Sequence, residues 1–370
     1  MKKAILVQVQ SNHSEVLYPQ IAFLQGECEI EVLTTRKLAA IDVLNGYRAK
    51  GVKYSIVPEV KMRFLTINIG AIIKFLAVFT LVFKRADIIV FNSLTVKDCV
   101  VSHLISKKTR IFGIIHNVKS FLSKERLLTP LKGVFVLSDD VHRYCLNEYK
   151  NNPITKKMSW FIPVSENLIS AWANRDIEHK EGPIRIGVIG NVVQEKRDYS
   201  SLASAVLKTA KKNDGKYELL LLGRYSEAFL QFIPIGMRDG ILTFDRYIPY
   251  QEMDEMICSC DVLLYLIHPS LKNSEGYGRT KITGLSTILK TIPILPAGSD
   301  GAIIDAYCRN EMILYPGSNV DSFFSWIVEG KISLRTIQER RQRLCIDEYS
   351  FLNQKKRYRR GLDLSPSDFG

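Results

Sequence analysis

The sequence has little cysteine, and what it has is unpaired. Its seven cysteines are scattered along the chain, and no Cys-x-x-Cys motif occurs. An odd, scattered set does not form a disulfide framework. Cys258 and Cys260 are the only close pair, and no second Cys/His pair completes a zinc site. We therefore predict no metal site, and thiols that serve as small buried apolar groups in a reducing compartment.

We also predict no secretion signal. After Lys2 and Lys3 the apolar run is only four residues long, which is too short for a signal peptide and predicts a first β-strand instead. The chain has 370 residues, of which 46% are hydrophobic and 24% charged. This composition excludes disorder and collagen, and the length predicts two domains, each with its own core.

Charge is the unbalanced feature. The chain has 51 Lys and Arg against 38 Asp and Glu, a formal net charge of +13. Such an excess favours an anionic partner, and the classes are nucleic acid, a membrane surface or a ligand with phosphates. No motif of interleaved aromatic and basic residues is present, so we predict no nucleic-acid partner.

One long apolar run, 64–82, requires a separate interpretation. A membrane span needs about 20 apolar residues, but Lys74 lies in the middle, where a charge costs about 2.5–3.5 kcal/mol. A span would also place strands of one predicted sheet on opposite sides of the bilayer. A buried crossover helix and a helix on an anionic membrane surface are the alternatives. Basic residues surround the run and fit either a lipid surface or a solvated face: Lys61, Arg63, Lys74, Lys84 and Arg85.

Short apolar runs alternate with helix-compatible stretches, as in a parallel doubly wound sheet. In the first half, the predicted strands are Ala4–Val9, Ile30–Thr34, Asp87–Phe91, Arg110–Ile115 and Gly133–Leu137. In the second half, they are Ile184–Ile189, Tyr217–Leu222, Ile241–Phe244, Asp261–Leu266, Ile292–Leu295 and Met312–Tyr315. The segment between them is polar and ends in Gly-Pro. We predict two Rossmann-like α/β domains facing a central cleft, 1–166 and 184–345, with a linker at 167–183 and a basic helix and tail at 346–370.

Two strand ends in the second half carry ligand-binding chemistry. The strand Ile184–Ile189 runs into Gly190, and Lys196 and Arg197 follow before a helix. Glycine allows close backbone approach, and two cations beside a helix N-terminus could bind a phosphate, although an ordinary turn has the same composition.

The second strand end is richer in functional groups. The strand Asp261–Leu266 leads to Glu275, Gly276, Tyr277, Gly278, Arg279, Thr280 and Lys281. Amides at Gly278 to Thr280 would bind an anion, Arg279 or Lys281 could neutralise a pyrophosphate, and Glu275 could accept hydrogen bonds from sugar hydroxyls. An ordinary polar turn is the alternative.

These segments together resemble the donor-binding domain of retaining GT-B glycosyltransferases over roughly Ile184 to Pro296. The matching pieces, in order, are Gly190 with Lys196, Leu219–Gly223, Leu242–Met253, Asp261–Ser270 and Glu275–Gly278. The first half is similar more loosely, at Asp87–Ser93, Gly113–Asn117, Val136–Ser138 and Phe161–Pro163.

The sequence departs from that family at several positions. Thr283 stands eight residues after Glu275, where the family has a second glutamate that holds the ribose. Asn191 replaces an arginine, for which Arg197 or Arg279 could substitute. Ser11–Glu15 replaces a glycine-rich first loop. This divergence resembles envelope-polysaccharide transferases that carry a lysine in the helix, here Lys281.

The resemblance implies a retaining enzyme without a metal cofactor. It would move a sugar from a nucleotide sugar to a glycan or polyprenyl-diphosphate-linked acceptor, in the synthesis of bacterial O-antigen, capsule or exopolysaccharide. The protein would be cytoplasmic, at the inner face of the plasma membrane. An inactive scaffold subunit and a nucleotide-sugar epimerase remain as alternatives.

The resemblance also assigns roles to residues. Catalytic roles would fall to His116, Glu275 and Lys196, and His13 would lie near the acceptor. Donor-binding roles would fall to Gly190, Asn191, Arg197, Gly223, Gly276, Tyr277, Gly278, Arg279, Thr280, Lys281 and Thr283.

Overall fold

The chain divides into two compact units. One contains residues 1–166 and 350–370, and the other comprises most residues from 167 to 349. The computed structural model describes residues 1–9, 14–40, 48, 50–58, 63–64, 67–105, 107–122, 125–164, 182–190, 197–223, 226–244, 246, 248, 250–266, 292–296, 311–316, 320–343 and 349–364. The predicted linker at 167–183 therefore lies almost entirely outside the described residues.

The first unit is built on a seven-stranded parallel sheet with the order β3-β2-β1-β6-β7-β8-β9. Its strands are β1 Lys2–Gln8, β2 Cys28–Thr35, β3 Lys53–Val57, β6 Ile88–Phe91, β7 Arg110–Ile114, β8 Gly133–Val136 and β9 Met158–Trp160. A separate antiparallel pair consists of β4 Arg63–Phe64 and β5 Ile67–Asn68. The central strands β1 and β6 are buried on both faces, which explains their continuous apolar sequence.

Helices connect these parallel strands. They are α1 Ser14–Leu24, α2 Arg36–Ala39, α3 Ile69–Phe79, α4 Val96–Leu104, α5 Lys119–Leu122, α6 Glu125–Leu128 and α7 Asp139–Glu148, with 3₁₀ turns at Thr80–Phe83 and Thr155–Lys157. Local sequence fixes two helix starts. Thr95 and Asp98 form a reciprocal capping box on α4, and the Ser138 hydroxyl accepts from the third amide of α7.

The second unit has a six-stranded sheet with the order β12-β11-β10-β13-β14-β15, in which every pair is parallel. The strands are β10 Ile184–Ile189, β11 Tyr217–Leu222, β12 Ile241–Leu242, β13 Val262–Leu264, β14 Ile292–Pro296 and β15 Ile313–Tyr315. The helices are α8 Tyr199–Asn213, α9 Tyr250–Ser259, α10 Asp321–Val328 and α11 Leu334–Gln342, with 3₁₀ turns at Ser226–Phe232 and Ile235–Met237.

Both sheets have the Rossmann strand order 3-2-1-4-5-6 when strands are counted within each unit, and the first sheet adds a seventh strand. The order reverses between β1 and β6 in the first unit and between β10 and β13 in the second. The prediction of two Rossmann-like α/β domains is therefore confirmed. A crevice forms at such a reversal, outside the carboxyl ends of the strands, and this is where doubly wound sheets bind ligands.

The C-terminal helix α12, Phe351–Gly361, packs into the first unit against α1 and β9. Tyr358 is completely buried, and its ring lies 4.7 Å from that of Phe161, 5.1 Å from Phe135 and 5.7 Å from Phe23, centroid to centroid. Its hydroxyl accepts a hydrogen bond of 3.0 Å from the Gln20 amide. The end of the chain thus completes the core of the unit in which the chain begins.

The apolar run at 64–82 forms β5, the helix α3 and a 3₁₀ turn, separated from β4 by undescribed residues. In α3, Ile72 and Leu76 are exposed, whereas Val78 is buried. No helix among the described residues has the length and apolar character that crossing a bilayer requires.

Candidate functional site

The carboxyl ends of β10 and β11 meet at two glycines. Gly190 follows β10 with a φ of +109°, a conformation that side chains rarely adopt, and Gly223 follows β11. The Gly190 amide donates to the carbonyl of Leu222 at 3.0 Å. This bond continues the hydrogen-bond ladder between β10 and β11 to the carboxyl end of the two strands, where Gly190 adds no side chain.

The Arg197 side chain fills the space beside Gly190. A Cβ atom added to Gly190 would overlap the guanidinium, whose Cζ would be 3.0 Å away. The hydroxyl of the buried Tyr199 lies 3.4 Å from the Gly190 carbonyl oxygen. Burial raises the pKa of Tyr199, and interaction with Arg197 opposes that rise. The absence of a side chain at position 190 therefore makes room for a cation at the carboxyl end of β10.

Arg197 has unused hydrogen-bonding capacity. Its Nε atom is buried and donates to no acceptor within the part of the chain that the structure describes. No carboxylate pairs with its guanidinium among those residues. A guanidinium nitrogen that is withdrawn from solvent normally donates to an acceptor, so this half-buried side chain has the electrostatic character of an anion-binding group.

Asp198 fixes the start of α8 at the same edge. Its carboxylate caps the helix by accepting from the Ser201 amide at 3.1 Å and from the Ser200 and Ser201 hydroxyls at 2.8 and 2.7 Å. Its own amide donates to the carbonyl of Leu266, just beyond β13, at 3.1 Å. The helix start is thus tied to the two strands that border the reversal of strand order, β10 and β13.

In the first unit, His116 lies at the carboxyl end of the sheet, two residues after β7. Its Nε2 atom is 2.9 Å from the carbonyl oxygen of Asn92, the residue that follows β6. Because a carbonyl only accepts, Nε2 donates the proton of this bond. The fold therefore anchors the imidazole through Nε2.

The described structure thus brings Gly190, Arg197 and Gly223 together in the second unit and places His116 at the equivalent edge of the first. The other predicted site residues lie outside the described residues: His13, Asn191, Lys196, Glu275, Gly276, Tyr277, Gly278, Arg279, Thr280, Lys281 and Thr283. Among the described residues, no group of three His, Cys, Asp or Glu side chains is arranged to hold a metal.

Sequence reasoning missed two residues at this edge, Asp198 and Tyr199. An Asp directly before a helix-compatible stretch is a pattern that could have indicated the helix cap. Nothing in the sequence points to Tyr199, because its contact with Gly190 exists only after the chain has folded.

Comparisons with known proteins are informative only at the level of structure. No protein-family model and no curated protein sequence matches the chain. HepE from Anabaena, solved in complex with UDP and glucose, is similar with a TM-score of 0.63 and 10% identity, over 98% of this chain and 100% of that one.

Two further solved structures are similar over nearly their whole length. The UDP-GlcNAc 2-epimerase from Neisseria meningitidis, bound to UDP-GlcNAc, has a TM-score of 0.61 and 11% identity, over 98% of this chain and 100% of that one. The lipopolysaccharide outer core galactosyltransferase WaaB has a TM-score of 0.54 and 14% identity, over 98% and 99%. At such identities the likeness shows the fold, and this chain has the GT-B fold, in which one chain forms two Rossmann-like domains.

Proposed function

We propose that the protein is a glycosyltransferase that uses a nucleotide-sugar donor. The observation that carries the proposal is the Arg197 guanidinium held beside Gly190 at the carboxyl end of β10, with a buried donor that no described residue satisfies. Full-length likeness to HepE with UDP and glucose supports this donor class, and likeness to the galactosyltransferase WaaB supports sugar transfer.

A diphosphate suits this site chemically. A guanidinium donates to phosphate oxygens in a fixed fork geometry, and the departing nucleoside diphosphate of a sugar transfer gains negative charge in the transition state. Cations already in place at the strand end would stabilise that charge without reorganisation. We assign Arg197 to the diphosphate, together with Lys196 and the turn from Gly278 to Lys281.

The remaining roles follow the family resemblance. Glu275 would accept hydrogen bonds from the donor sugar, and His116 would approach that sugar from the first unit. Transfer would proceed with retention and without a metal, and the leaving phosphate would help to deprotonate the acceptor. The product would be an envelope polysaccharide or its lipid-linked precursor, such as O-antigen, capsule or exopolysaccharide.

A lipid-linked acceptor would bring the enzyme to a membrane surface, and two adjacent helices of the first unit suit this role. On α4, Val96, Val100 and Leu104 are spaced four residues apart and are 39%, 46% and 53% exposed. On α3, Ile72 and Leu76 are 45% and 55% exposed. We call these five side chains the apolar face.

The exposed charges on α4 and in the described residues directly after it are positive. Lys97, Lys107 and Lys108 are exposed, whereas Asp98, the only acid in α4, is buried in its capping box. Basic residues near an anionic bilayer contribute about 1 kcal/mol each, and exposed aliphatic side chains add hydrophobic insertion. We therefore propose that the apolar face rests on the anionic inner surface of the plasma membrane.

The donor proposal is tested by thermal shift, because a ligand that binds only the native state raises the melting temperature. UDP, UDP-glucose, UDP-galactose and UDP-GlcNAc are the probes. Arg197→Met should weaken UDP binding roughly 10- to 150-fold, the equivalent of about 1.5–3 kcal/mol for a charged hydrogen bond.

Arg185→Met is the matched control, because Arg185 lies at the amino-terminal end of the same strand β10 and forms an exposed ion pair with Glu218 at 3.0 Å. If Arg197→Met binds UDP as tightly as Arg185→Met does, the assignment of Arg197 is wrong.

An epimerase is the second candidate, because the UDP-GlcNAc 2-epimerase is as similar in structure as HepE. The two activities differ in their need for an acceptor. Incubation with each UDP-sugar alone, followed by NMR, detects a change at the sugar ring for an epimerase and at most slow hydrolysis for a transferase. Binding without any turnover, even with lipid-linked acceptor mimics, would indicate a scaffold subunit.

Membrane docking is tested by sedimentation with vesicles of phosphatidylcholine alone or mixed with phosphatidylglycerol. We expect binding to the anionic vesicles that weakens with salt and is lost in Leu76→Glu. Ile235→Glu is the control, because Ile235 is 81% exposed but lies in the second unit. Equal loss of binding in both variants would show that the apolar face is not the contact.

A further inference from the structure

Three polar atoms at the end of β6 are buried without a hydrogen-bond partner. Asn92 is fully buried, and its Nδ2 and Oδ1 atoms contact no partner within the part of the chain that the structure describes. The same is true of Oγ of the next residue, Ser93. Each buried polar group left unpaired costs about 1–3 kcal/mol, and folded proteins leave few of them. Three on two consecutive residues indicate a partner other than the described residues.

The backbone holds these atoms in a fixed place. The Asn92 amide donates to the carbonyl of Val7 in β1 at 2.9 Å, and its carbonyl accepts from His116 Nε2 at 2.9 Å. Two residues on, the Leu94 amide donates to the carbonyl of Ile114 in β7 at 3.0 Å. The segment is thus fastened to both flanking strands, and its side chains are positioned before any ligand arrives.

The location is the one at which a doubly wound sheet binds its ligand. Asn92 stands at the carboxyl end of β6, and β6 pairs with β1 at the point where the strand order reverses. The three atoms are shielded from solvent, so a ligand contacts them only after the atoms that cover them move aside.

The functional groups define the chemistry of the partner. An amide side chain offers one donor group and one acceptor, and a serine hydroxyl also does both. A sugar hydroxyl likewise donates and accepts, whereas a phosphate only accepts and would leave the Asn92 oxygen unpaired. We infer that Asn92 and Ser93 bind a hydroxyl group of a sugar. The inference rests on the proposed function and adds the substrate group that the first unit recognises.

Asn92→Leu tests the inference, because leucine has a similar volume and forms no hydrogen bonds. Since the substitution breaks no described side-chain bond and removes two unpaired atoms, the melting temperature should stay equal to that of the wild type or rise. Affinity for UDP should not change. Binding or transfer that involves the recognised sugar should weaken about tenfold, which corresponds to about 1.4 kcal/mol.

Asn213→Leu is the matched control, because the Asn213 side chain donates to the Tyr217 carbonyl and accepts from the Tyr217 amide. This variant should lower the melting temperature. If Asn92→Leu lowers the melting temperature equally and leaves sugar binding intact, the amide holds a structural water and the inference is overturned. Ser93→Ala provides a second variant with a smaller expected loss should Asn92→Leu fail to fold.

The ligand probes distinguish the source of the hydroxyl. Weaker binding of UDP-sugars, with UDP unaffected, would place the hydroxyl on the donor. Slower transfer to methyl glycosides, with unchanged UDP-sugar binding, would place it on the acceptor. If no UDP-sugar stabilises the wild type, the proposed function fails. Binding of methyl glycosides to the wild type and to Asn92→Leu then decides the inference by itself, and equal binding to both would overturn it.

Discussion

Replacing Tyr358 by alanine should destabilise the first unit by about 3–5 kcal/mol, the usual cost of deleting a fully buried aromatic ring. The structure supports the upper part of this range, because the ring contacts three other rings and is completely buried. Tyr358→Phe keeps the ring but leaves the buried Gln20 amide without its acceptor, so about 1–3 kcal/mol is expected.

Trp160 is a suitable probe for this unfolding. The guanidinium of Arg357, from the same helix as Tyr358, lies 3.6 Å from the centroid of the Trp160 ring. The chain has three tryptophans, and replacing Trp172 and Trp326 by phenylalanine leaves fluorescence that reports on the first unit alone. Urea titration of this background then gives the free energy of unfolding of that unit.

Leu352→Ala is the control on the same helix, because Leu352 is 65% exposed and its removal should cost less than about 0.5 kcal/mol. If Tyr358→Ala costs no more than Leu352→Ala, helix α12 does not contribute to the core of the first unit and its placement is wrong.

Two further predictions concern the two sheets. Gly190→Ala and Gly215→Ala should each cost about 1–2 kcal/mol in backbone strain, but only Gly190→Ala should weaken UDP binding, because its Cβ would displace Arg197 whereas that of Gly215 meets nothing within 4 Å. Equal UDP affinities of the two variants would contradict the placement of the Arg197 side chain beside Gly190. Burial raises the pKa of Glu31. Hydrogen bonds to its carboxylate, chiefly the one from Lys84, outweigh the effect of burial and lower the pKa to about 2. The resulting stabilisation, at most about 3 kcal/mol, should be complete above pH 4.5 and disappear toward pH 2. Wild type and Glu31→Gln should therefore converge in acid, and a difference in stability that does not change with pH would refute this.

Local sequence was sufficient to predict a strand where both faces of that strand are largely buried. Ile184–Ile189 and Tyr217–Leu222 were predicted to the residue, because each is an apolar run bounded by polar or turn residues. The strand Lys53–Val57 was missed because it is an edge strand with a mixed, partly exposed sequence. Met158–Trp160 was missed because three residues carry no periodic signal.

The site was predictable only in part, for a physical reason. Gly190 and Arg197 follow a recognisable strand, so their position at a ligand-binding edge could be predicted from the chain itself. The unpaired Asn92 amide could not be predicted from the sequence, because it depends on which polar groups the folded chain places next to that side chain. A sequence shows which polar groups exist, and only a structure shows which of them lack partners.

The charge excess illustrates the same distinction. The basic stretch at 355–360 is part of this excess, and the described structure uses some of it internally. Arg359 is 2% exposed and forms an ion pair with Glu27, and Arg357 stacks on Trp160. Arg197 differs, because no described carboxylate neutralises it. A cation indicates an anion site more strongly when no described carboxylate neutralises it, and by this criterion Arg197 is a stronger indication of a phosphate ligand than the net charge of +13.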